Sequence, residues 1–440
     1  MMRETFFSIA DHVIAGLRTG EEALLWFEAE RSGFVRFNHG RVRQPGSVTQ
    51  ASLSIDLIHG ARHAGGRVTL CGNPPADRER VSGFVAELRS ELAGLAEDPH
   101  LLYNLEPAST EASAGATLPD PLDLAAQVIE ACAGLDFVGI LAAGEVCRGF
   151  ANSLGQRNWF AKPSFNLGFS LYSRADKAVK SAYAGLTWNA NDLRRRIGDA
   201  ARQLELVTRP AKTIEPGKYR VYLAPAALQE VFGLLSWNAF GLKNHRTKQT
   251  PLLRLIAGER LAPSITLSEN TAEGAGPAFG PAGFIRPQAV ELLREGALCG
   301  ALVSPRSARE YDVPTNGAAE SESPEALELA PGALPEDEAL AALDTGLYVN
   351  NLWYLNYSDR STCRITGMTR FATFWVERGE IRAPLNVMRF DDTLHNMLGA
   401  NLLGLTRERE MLLDDGSYGQ RSTASMRLPG ALIDRCAFTL

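Results

Sequence analysis

Histidines, which often bind metals or transfer protons at neutral pH, are few and widely spaced in this sequence. They are His12, His39, His59, His63, His100, His245 and His395. Only His59 and His63 stand close together, within HGARHAGG, a Gly-rich segment expected to form a turn between strands. Because an i,i+4 pair shares one face in a helix but not in a turn, we expect two solvated turn residues there rather than a metal site.

The cysteines also form no motif with a known chemistry. They are Cys71, Cys132, Cys147, Cys299, Cys363 and Cys436, and no two of them make a C-x-x-C pair. This spacing argues against a disulfide framework and against a structural zinc site. The chain also contains no phosphate-binding loop, no dinucleotide-binding glycine motif and no G-x-S-x-G elbow.

One stretch, residues 346–390, is richer in polar side chains than a buried meander needs. Its pattern predicts a strand, a Gly-bearing loop, an aromatic strand, a tight turn at ERGEI and a return strand. The segment NYSDRSTCRITG places hydrogen-bond donors beside strand edges, and strand edges recruit further extended chains. The sequence therefore predicts a groove for an extended peptide. Its candidate residues are Asn356, Ser358, Arg360, Thr366 and Arg370.

A strand followed by a long helix within residues 221–250 is expected to form the centre of the second half of the chain. Apolar residues recur there at helical spacing, Pro225 suits the first turn, and Gly241 suits the exit. Because the apolar surface extends round most of the cylinder, the helix is expected to be buried. Ser236 on this helix is expected to donate its hydroxyl to a backbone carbonyl.

The chain is long enough for two domains. Its 440 residues exceed what one hydrophobic core usually supports, and a Pro-rich connector at residues 208–217 separates the two halves. We expect an α+β protein. Residues 1–207 are predicted to form a mixed or antiparallel sheet with covering helices, and residues 208–440 a mainly antiparallel β domain around the buried helix.

Local patterns give more detailed expectations within each domain. In the first domain, alternating apolar and polar residues predict separate strands at residues 22–30, 33–46, 47–60 and 66–73. In the second domain, the acidic and weakly apolar residues 313–337 are expected to form a flexible excursion. The segment DTLHNMLGANLLGL is expected to be a helix.

Charge and hydropathy argue against nucleic-acid and membrane partners. The formal net charge is −6, and the Lys and Arg residues are spread along the chain without forming a basic patch. No apolar run approaches the length of a bilayer-spanning segment. The N-terminus has early acidic residues and no long apolar core, unlike a secretory signal, so a cytoplasmic protein is expected.

In its hairpin region the chain resembles the TldD/PmbA family, whose PmbA side is also called TldE. Members of this family are described as modulators of DNA gyrase and as peptide maturation proteins. The resemblance rests on GLYVNNL, ITGMTRFATFWVERGEIRAPLNVM, PGKYRVYLAP and HGRVRQPGSVTQASLSI, and it spans nearly the whole chain. It implies that residues 208–440 correspond to the metallopeptidase domain of the family.

TldD-type subunits of that family hold a catalytic zinc with an H-E-x-x-x-H motif on the corresponding helix and a cysteine near the C-terminus. In the nearest match here, Gln229 and Leu234 stand at the histidine positions and Glu230 at the glutamate position. The corresponding tail, LLDDGSYGQRSTASM, contains no cysteine. Since one carboxylate cannot replace two histidines and a thiolate, we expect no metal, no cofactor and no catalytic residue in this chain.

The resemblance therefore implies a TldE/PmbA-like, non-catalytic subunit. Such a subunit would pair with a zinc-bearing TldD-like peptidase and help it to trim or degrade unfolded peptides. Two alternatives remain open. The chain is itself a metallopeptidase with a rearranged site, for instance His245 with Glu230 and a cysteine, or it is a stand-alone homodimeric protein that binds peptides.

Overall fold

The chain is an α+β protein built on two β-sheets. It is described here from a computed structural model that covers residues 2–113, 117–174 and 177–439. The described helices are α1 (Met2–Ala15), α2 (Pro74–Leu92), α3 (Pro121–Ala131), α4 (Ala190–Val207), α5 (Pro225–Ser236), α6 (Leu242–Arg246), α7 (Leu253–Ile256), α8 (Pro305–Tyr311) and α9 (Ala339–Leu343). A 3-10 turn at Glu336–Glu338 and a π-helical turn at Asn396–Ala400 complete the helical elements of these residues.

The strands of the first half are β1 (Glu21–Asn38), β2 (Arg41–His59), β3 (Arg62–Leu70), β4 (Thr110–Ser113), β5 (Asp136–Asn152), β6 (Arg157–Arg174) and β7 (Lys177–Gly185). The strands of the second half are β8 (Gly217–Leu223), β9 (Leu267–Glu269), β10 (Val290–Arg294), β11 (Ala297–Leu298), β12 (Ala326–Leu329), β13 (Gly346–Asp359), β14 (Arg364–Glu377), β15 (Glu380–Pro384), β16 (Arg389–Thr393), β17 (Leu402–Leu413) and β18 (Ser425–Phe438).

Helices cover one face of the first sheet. The strand order is β3-β2-β1-β5-β6-β4, and β7 also pairs with β6. Because alternate residues of a strand point to opposite faces, the odd-numbered apolar residues of β1 share one face. Leu25 and Phe27 pack in a core with α1 and α2. Val35 and Phe37, further along the same strand, pack in a core with α3 and α4.

The first two strands are longer than the sequence predicts. We expected breaks after residues 30 and 46, but β1 and β2 pair continuously there, with Ser32 opposite Val48 and Phe34 opposite Gly46. The turn lies instead at His39 and Gly40, whose φ angles are 51° and 66°. Two left-handed residues make the turn type that matches the twist of a hairpin, so NHGR, which we placed inside a strand, joins β1 to β2.

Five strands of the second sheet form a closed ring. Its order is β11-β10-β9-β12-β18-β16-β14-β13-β8, and β8 also pairs with β18. Strands β8, β13, β14, β16 and β18 therefore form a closed circuit of hydrogen-bonded neighbours. Most of these pairs are antiparallel, as predicted, and β8–β13 is parallel. Helix α5 packs in the same core as these strands, so the predicted buried helix is confirmed.

The buried helix ends earlier than predicted. Helix α5 stops at Ser236, and the predicted end at Gly241 is wrong. Beyond it, the Phe240 carbonyl accepts from the Leu302 N–H at 2.8 Å, and the Leu242 N–H donates to the Leu302 carbonyl at 2.9 Å. This pairing with a distant segment replaces the helical hydrogen bonds. The Ser236 hydroxyl donates to the Phe232 carbonyl at 2.8 Å, as expected.

Two further expectations for the second half are wrong. Residues 313–337 are not a free excursion, because Ala326–Leu329 forms β12 between β9 and β18, with Leu327 and Leu329 buried. The segment predicted as a helix at DTLHNMLGANLLGL forms a strand end, a short π-helical turn and the start of β17. There, Leu402 pairs with Ile433 of β18, and this pairing outweighs the helical spacing of the apolar residues.

The two halves share a hydrophobic core. Phe374 of β14 is fully buried in the cluster that α3 and α4 form on the first sheet. The division of the chain into domains at residue 207 stays a prediction. None of the described helices is long and apolar enough to cross a membrane.

Candidate functional site

A large cavity of about 1210 Å³ lies where the two halves meet. Residues of β6, β7 and α4 line it on the side of the first half, and residues of β8, α5, β13 and β17 on the side of the second half. Ligand sites often form in such clefts between packed units. The cavity is therefore the first place to examine for function.

One face of α5 forms part of the cavity wall. The residues of this helix that line it are Pro225, Ala226, Gln229, Glu230, Gly233, Leu234 and Ser236, and Trp237 follows at the helix end. Their spacing of three or four residues places most of them along one stripe. The opposite stripe, which includes Leu228 and Phe232, is buried in the core. All three positions of the degenerate zinc motif, Gln229, Glu230 and Leu234, therefore line the cavity.

Glu230 is the one ionisable residue on this wall of α5. Its side chain is half-buried, and among the described residues nothing donates a hydrogen bond to its carboxylate. Burial raises the pKa of the Glu230 carboxyl, nearby Lys180 partly opposes the effect, and Asp415 adds to it. Glu230 thus lines an open space and accepts no hydrogen bond from the described residues.

Strand β13 supplies a second polar wall. Asn351 is only 6% exposed, lines the cavity, and has a side-chain oxygen, Oδ1, without a hydrogen-bond partner in the described chain. Next to it, the Asn350 Nδ2 donates to the Lys180 carbonyl at 3.2 Å and ties β13 to β7. Tyr354 has a φ of 57° at an irregularity in the β13–β14 pairing, and its ring is 78% exposed.

The opposite wall comes from α4 and β17 and is internally paired. The Arg196 guanidinium lies 3.2 Å from the Glu410 carboxylate and also donates to the Ala182 carbonyl at 3.2 Å. Arg202 pairs with Asp199 one turn away. Gln203 has an Oε1 atom with no partner among the described residues. These contacts fix most of the charges on this wall.

None of the five residues predicted to form a peptide groove lines the cavity, and all of them except Arg370 lie towards the far end of the β13–β14 hairpin. Asn356 is opposite Thr366 in the hairpin, and the Thr366 hydroxyl donates to the Phe390 carbonyl at 3.0 Å. The Ser358 hydroxyl donates to Asp391 at 2.9 Å. Their role in binding a peptide stays a prediction.

The two predicted arginines have structural contacts. The Arg360 guanidinium donates to the Gln249 carbonyl. The Arg370 guanidinium is exposed and lies 4.2 Å from the centre of the Trp353 ring, within cation–π range. The structure thus brings Asn356, Ser358 and Thr366 near one another and leaves Arg370 nearer the base of the hairpin.

Asn351 and Lys180 are two of the cavity residues that reasoning from the sequence missed. Asn351 belongs to GLYVNNLW, where an Asn pair interrupts an otherwise apolar strand, and this interruption was a usable signal. Lys180 lies in the half-buried part of β7, and its local sequence AVKSAYAG gives no sign that it faces a cavity. Only the packing of β7 against the second half places it there.

The residues present do not fit a zinc ion. The cavity lining contains no His and no Cys, and across the described residues no three or more His, Cys, Asp and Glu side chains are grouped to hold a metal. Zinc sites in proteins use imidazole, thiolate or carboxylate donors in close tetrahedral groups. The expectation that this chain binds no zinc of its own stays a prediction.

The histidines singled out earlier have other partners. The His245 Nε2 lies 2.7 Å from the Ala239 carbonyl, and His245 does not line the cavity with Glu230. The His63 Nδ1 lies 3.0 Å from the Asp56 carboxylate, so His63 is a half-buried paired residue rather than the solvated one expected. His59 is exposed at the end of β2.

The match of the C-terminal half to a family model shows that this protein is related to metallopeptidases. Residues 216–439, just over half of the chain, match the family described as the PmbA/TldA metallopeptidase C-terminal domain, and the chain belongs to the PmbA/TldD family. The resemblance inferred from the sequence is confirmed. A comparison with curated proteins gives no match.

Solved structures from three organisms have the same fold over nearly their whole lengths. A protein described as a modulator of DNA gyrase from Thermotoga maritima has a TM-score of 0.78 and 17% identity, covering 99% of this chain and 100% of that one. TldE from Thermococcus kodakarensis has a TM-score of 0.76 and 14% identity, covering 95% and 97%. A protein described as a modulator of DNA gyrase from Bacteroides thetaiotaomicron has a TM-score of 0.75 and 15% identity, covering 99% and 98%.

Proposed function

We propose that this chain is a TldE/PmbA-like subunit that binds unfolded peptides and has no catalytic zinc of its own. A TldD-like member of the same family would supply the zinc and the hydrolysis. One observation carries the proposal: the wall of α5 that faces the cavity presents Gln229 and Leu234 where an H-E-x-x-x-H motif would present two imidazoles. Without these donors the cavity can hold a peptide but cannot hold zinc in the manner of the family.

The shape of the cavity supports a peptide as its ligand. Its volume of about 1210 Å³ exceeds the range of roughly 300–1,000 Å³ that is typical for drug-sized ligands. Strand β7 lines it with Lys180, Ser181, Ala182 and Ala184, and among the described strands β7 pairs only with β6. The Lys180 and Ala182 carbonyls of β7 already accept hydrogen bonds from Asn350 and Arg196, so an extended peptide would pair with the remaining backbone groups of this strand.

The two alternatives have less support. A rearranged zinc site needs His245 near Glu230, but the His245 ring is held at the Ala239 carbonyl, away from the cavity lining. A stand-alone homodimer is compatible with the fold, yet no observation favours it over a pair with a TldD-like chain.

The test compares the purified chain, a TldD-like chain with an intact H-E-x-x-x-H motif, and their mixture. Bound zinc is measured by mass spectrometry after dialysis, assembly by light scattering, and hydrolysis with a fluorogenic unstructured peptide. We expect no retained zinc and no hydrolysis with this chain alone. We expect a mixed complex that hydrolyses the peptide, and loss of hydrolysis when the motif glutamate of the TldD-like chain is changed to glutamine.

Three results would contradict the proposal. Stoichiometric zinc in this chain alone, lost together with hydrolysis on chelation, would identify an active peptidase. A stable homodimer that binds peptide and never associates with the TldD-like chain would favour the stand-alone protein. A mixed complex that forms but does not bind or hydrolyse peptide would show that unfolded peptides are not its ligand.

A further inference from the structure

Among the buried polar side-chain atoms of the cavity lining that lack a hydrogen-bond partner in the described chain, two are acceptors and one is a donor. Asn351 Oδ1 and Gln203 Oε1 have no partner among the described residues, and the Glu230 carboxylate likewise accepts no hydrogen bond from them. The Arg196 Nε is an unpartnered donor, but the same guanidinium is already paired with Glu410. A ligand that completes these groups must therefore bring donors.

Asn351 is the most informative of these groups, because the residue is more than nine-tenths buried and belongs to the cavity lining. A buried amide oxygen without a donor destabilises the fold by about 1–3 kcal/mol unless something else satisfies it. Unpartnered buried groups of this kind are uncommon in folded proteins and call for an explanation, of which a bound ligand is one. A peptide N–H or an ammonium group is the partner whose chemistry fits.

The charges of the lining also favour a cationic ligand. The carboxylates are Asp199, Glu230, Glu336, Asp337, Glu410, Asp414 and Asp415, and the cations are Lys180, Arg195, Arg196 and Arg202. Each of the three arginines has a carboxylate of the same lining, Asp199 or Glu410, within 4.0 Å. In the described chain, Lys180 is the only cation of the lining without an ion pair. More carboxylates than cations of the lining therefore lack an ion pair with a described residue.

Two exposed aromatic residues line the cavity. Trp237 caps α5 and is 69% exposed, and Tyr354 on β13 is 78% exposed. The Tyr357 hydroxyl donates to the Leu234 carbonyl at 3.3 Å and holds these two elements together. Aromatic faces attract ammonium and guanidinium groups as well as apolar side chains.

We infer that the cavity selects peptide segments that contain lysine or arginine, and that Glu230 and Asn351 receive the cationic side chain between Trp237 and Tyr354. This inference rests on the proposed peptide-binding function and adds the class of substrate. Because the uncompensated carboxylates line one cleft, their fields add at the ligand and attract a cationic side chain more strongly than one isolated carboxylate would.

The test measures binding of three fluorescent eight-residue peptides by anisotropy, with the whole purified chain. All are built on Gly and Ser, and they contain three Lys, three Glu or no charged residue. We expect the Lys peptide to bind about tenfold more tightly than the neutral one, and the Glu peptide to bind least. The preference should fall as salt is raised from about 0.05 to 0.5 M.

Two variants and one control variant test whether the binding preference depends on Glu230 and Asn351. Glu230→Gln keeps the size of the side chain and removes the charge, so Lys-peptide binding should weaken about fivefold and neutral-peptide binding should weaken less. Asn351→Ala should weaken both, because its acceptor serves any N–H donor. Glu91→Gln removes an exposed carboxylate from α2, outside the cavity, and should change neither. The melting temperature of each variant checks its folding.

Equal binding of all three peptides, or an equal effect of Glu230→Gln and Glu91→Gln, would overturn the inference and leave the proposed function intact. Failure of every peptide to bind would overturn both. Zinc-dependent hydrolysis by the isolated chain would overturn the non-catalytic assignment while leaving the charge preference to stand on its own measurement.

Discussion

The Arg421 guanidinium donates to both the hydroxyl and the carbonyl of Ser164, at 2.7 and 2.8 Å. Arg421 lies in the segment between β17 and β18, and Ser164 lies in β6 of the first sheet. The same guanidinium also donates to the Gly144 carbonyl at 3.3 Å and is only 5% exposed. The segment that follows the cavity residues Asp414 and Asp415 is thus fixed to the first half of the chain.

Replacing Arg421 should loosen this attachment. Arg421→Ala would leave the Ser164 and Gly144 carbonyls buried without a donor, so we expect the unfolding free energy to fall by roughly 3 kcal/mol. Urea unfolding measures the change. The control is Arg407→Ala, at an exposed position in β17. Its unfolding free energy should fall by less than about 0.5 kcal/mol. Equal losses in the two variants would show that Arg421 contributes little.

Two glycines should respond in opposite ways to a single added methyl group. A Cβ at Gly346 would lie 2.2 Å from the Arg220 carbonyl oxygen, so Gly346→Ala must separate β13 from β8 and should destabilise the chain by about 3 kcal/mol or more. A Cβ at Gly233 meets nothing within 4 Å on α5. Gly233→Ala should therefore stabilise the chain by about 0.5–1 kcal/mol through helix propensity. Denaturant midpoints check both, and a stable Gly346→Ala variant would contradict the closed ring of strands.

Glu269 should make stability depend on pH. Burial raises the pKa of its carboxyl to about 7 from an ordinary value of 4.5, although the N–H groups of Ala326 and Glu325 oppose the effect. Because the folded pKa is the higher one, the contribution of Glu269 to stability is present below about pH 4.5 and is lost as pH rises through 7. The difference corresponds to roughly 3 kcal/mol.

The variant Glu269→Gln isolates this effect. Between pH 5 and pH 8, the unfolding free energy of this variant should decrease less than that of the parent chain. Burial lowers the pKa of His245 and of His395, so these residues act in the opposite direction, but they are common to both proteins and cancel in the comparison. Glu273→Gln, at an exposed carboxylate nearby, should behave like the parent. Identical pH profiles for the Glu269→Gln variant and the parent would show that Glu269 does not cause the pH dependence of stability.

Restoring the two histidines tests the alignment of the degenerate motif. The double variant Gln229→His, Leu234→His places imidazoles beside Glu230 on the cavity wall, so it should gain zinc affinity. At a hundred times its dissociation constant, zinc would raise the unfolding free energy by about 2.7 kcal/mol. Thermal unfolding with and without zinc measures this. The parent and the single variant Gln229→His should not respond, and an unresponsive double variant would show that the motif lies in another register.

Much of this protein follows from local sequence. The α+β class, the buried helix starting at Pro225, the ERGEI turn and the Ser236 hydrogen bond depend on periodicity, proline and glycine positions, and side chains close in sequence. The family resemblance also follows from motifs read along the chain. Such features are set by interactions within a few residues, and therefore the sequence alone determines them.

Other features depend on partners far away in the chain. Helix α5 ends at Ser236 because Phe240 and Leu242 pair with Leu302, and the polar, acidic region around β12 is ordered because it is inserted between β9 and β18. No local pattern encodes those pairings. Each one replaces a conformation that the local sequence would otherwise favour.

The candidate site also combines features that the sequence determines with features that only the tertiary structure determines. The family resemblance predicts that Gln229, Glu230 and Leu234 stand at the positions of a zinc motif, but the sequence does not reveal that they line a cavity. The wall opposite them comes from β7 and α4, which precede α5 in the chain and reach it only through packing of the two halves. Lys180 and Asn351 become neighbours of the motif for that reason. Side-chain type is thus fixed by sequence, whereas burial, electrostatic surroundings and access to a ligand are properties of the tertiary structure.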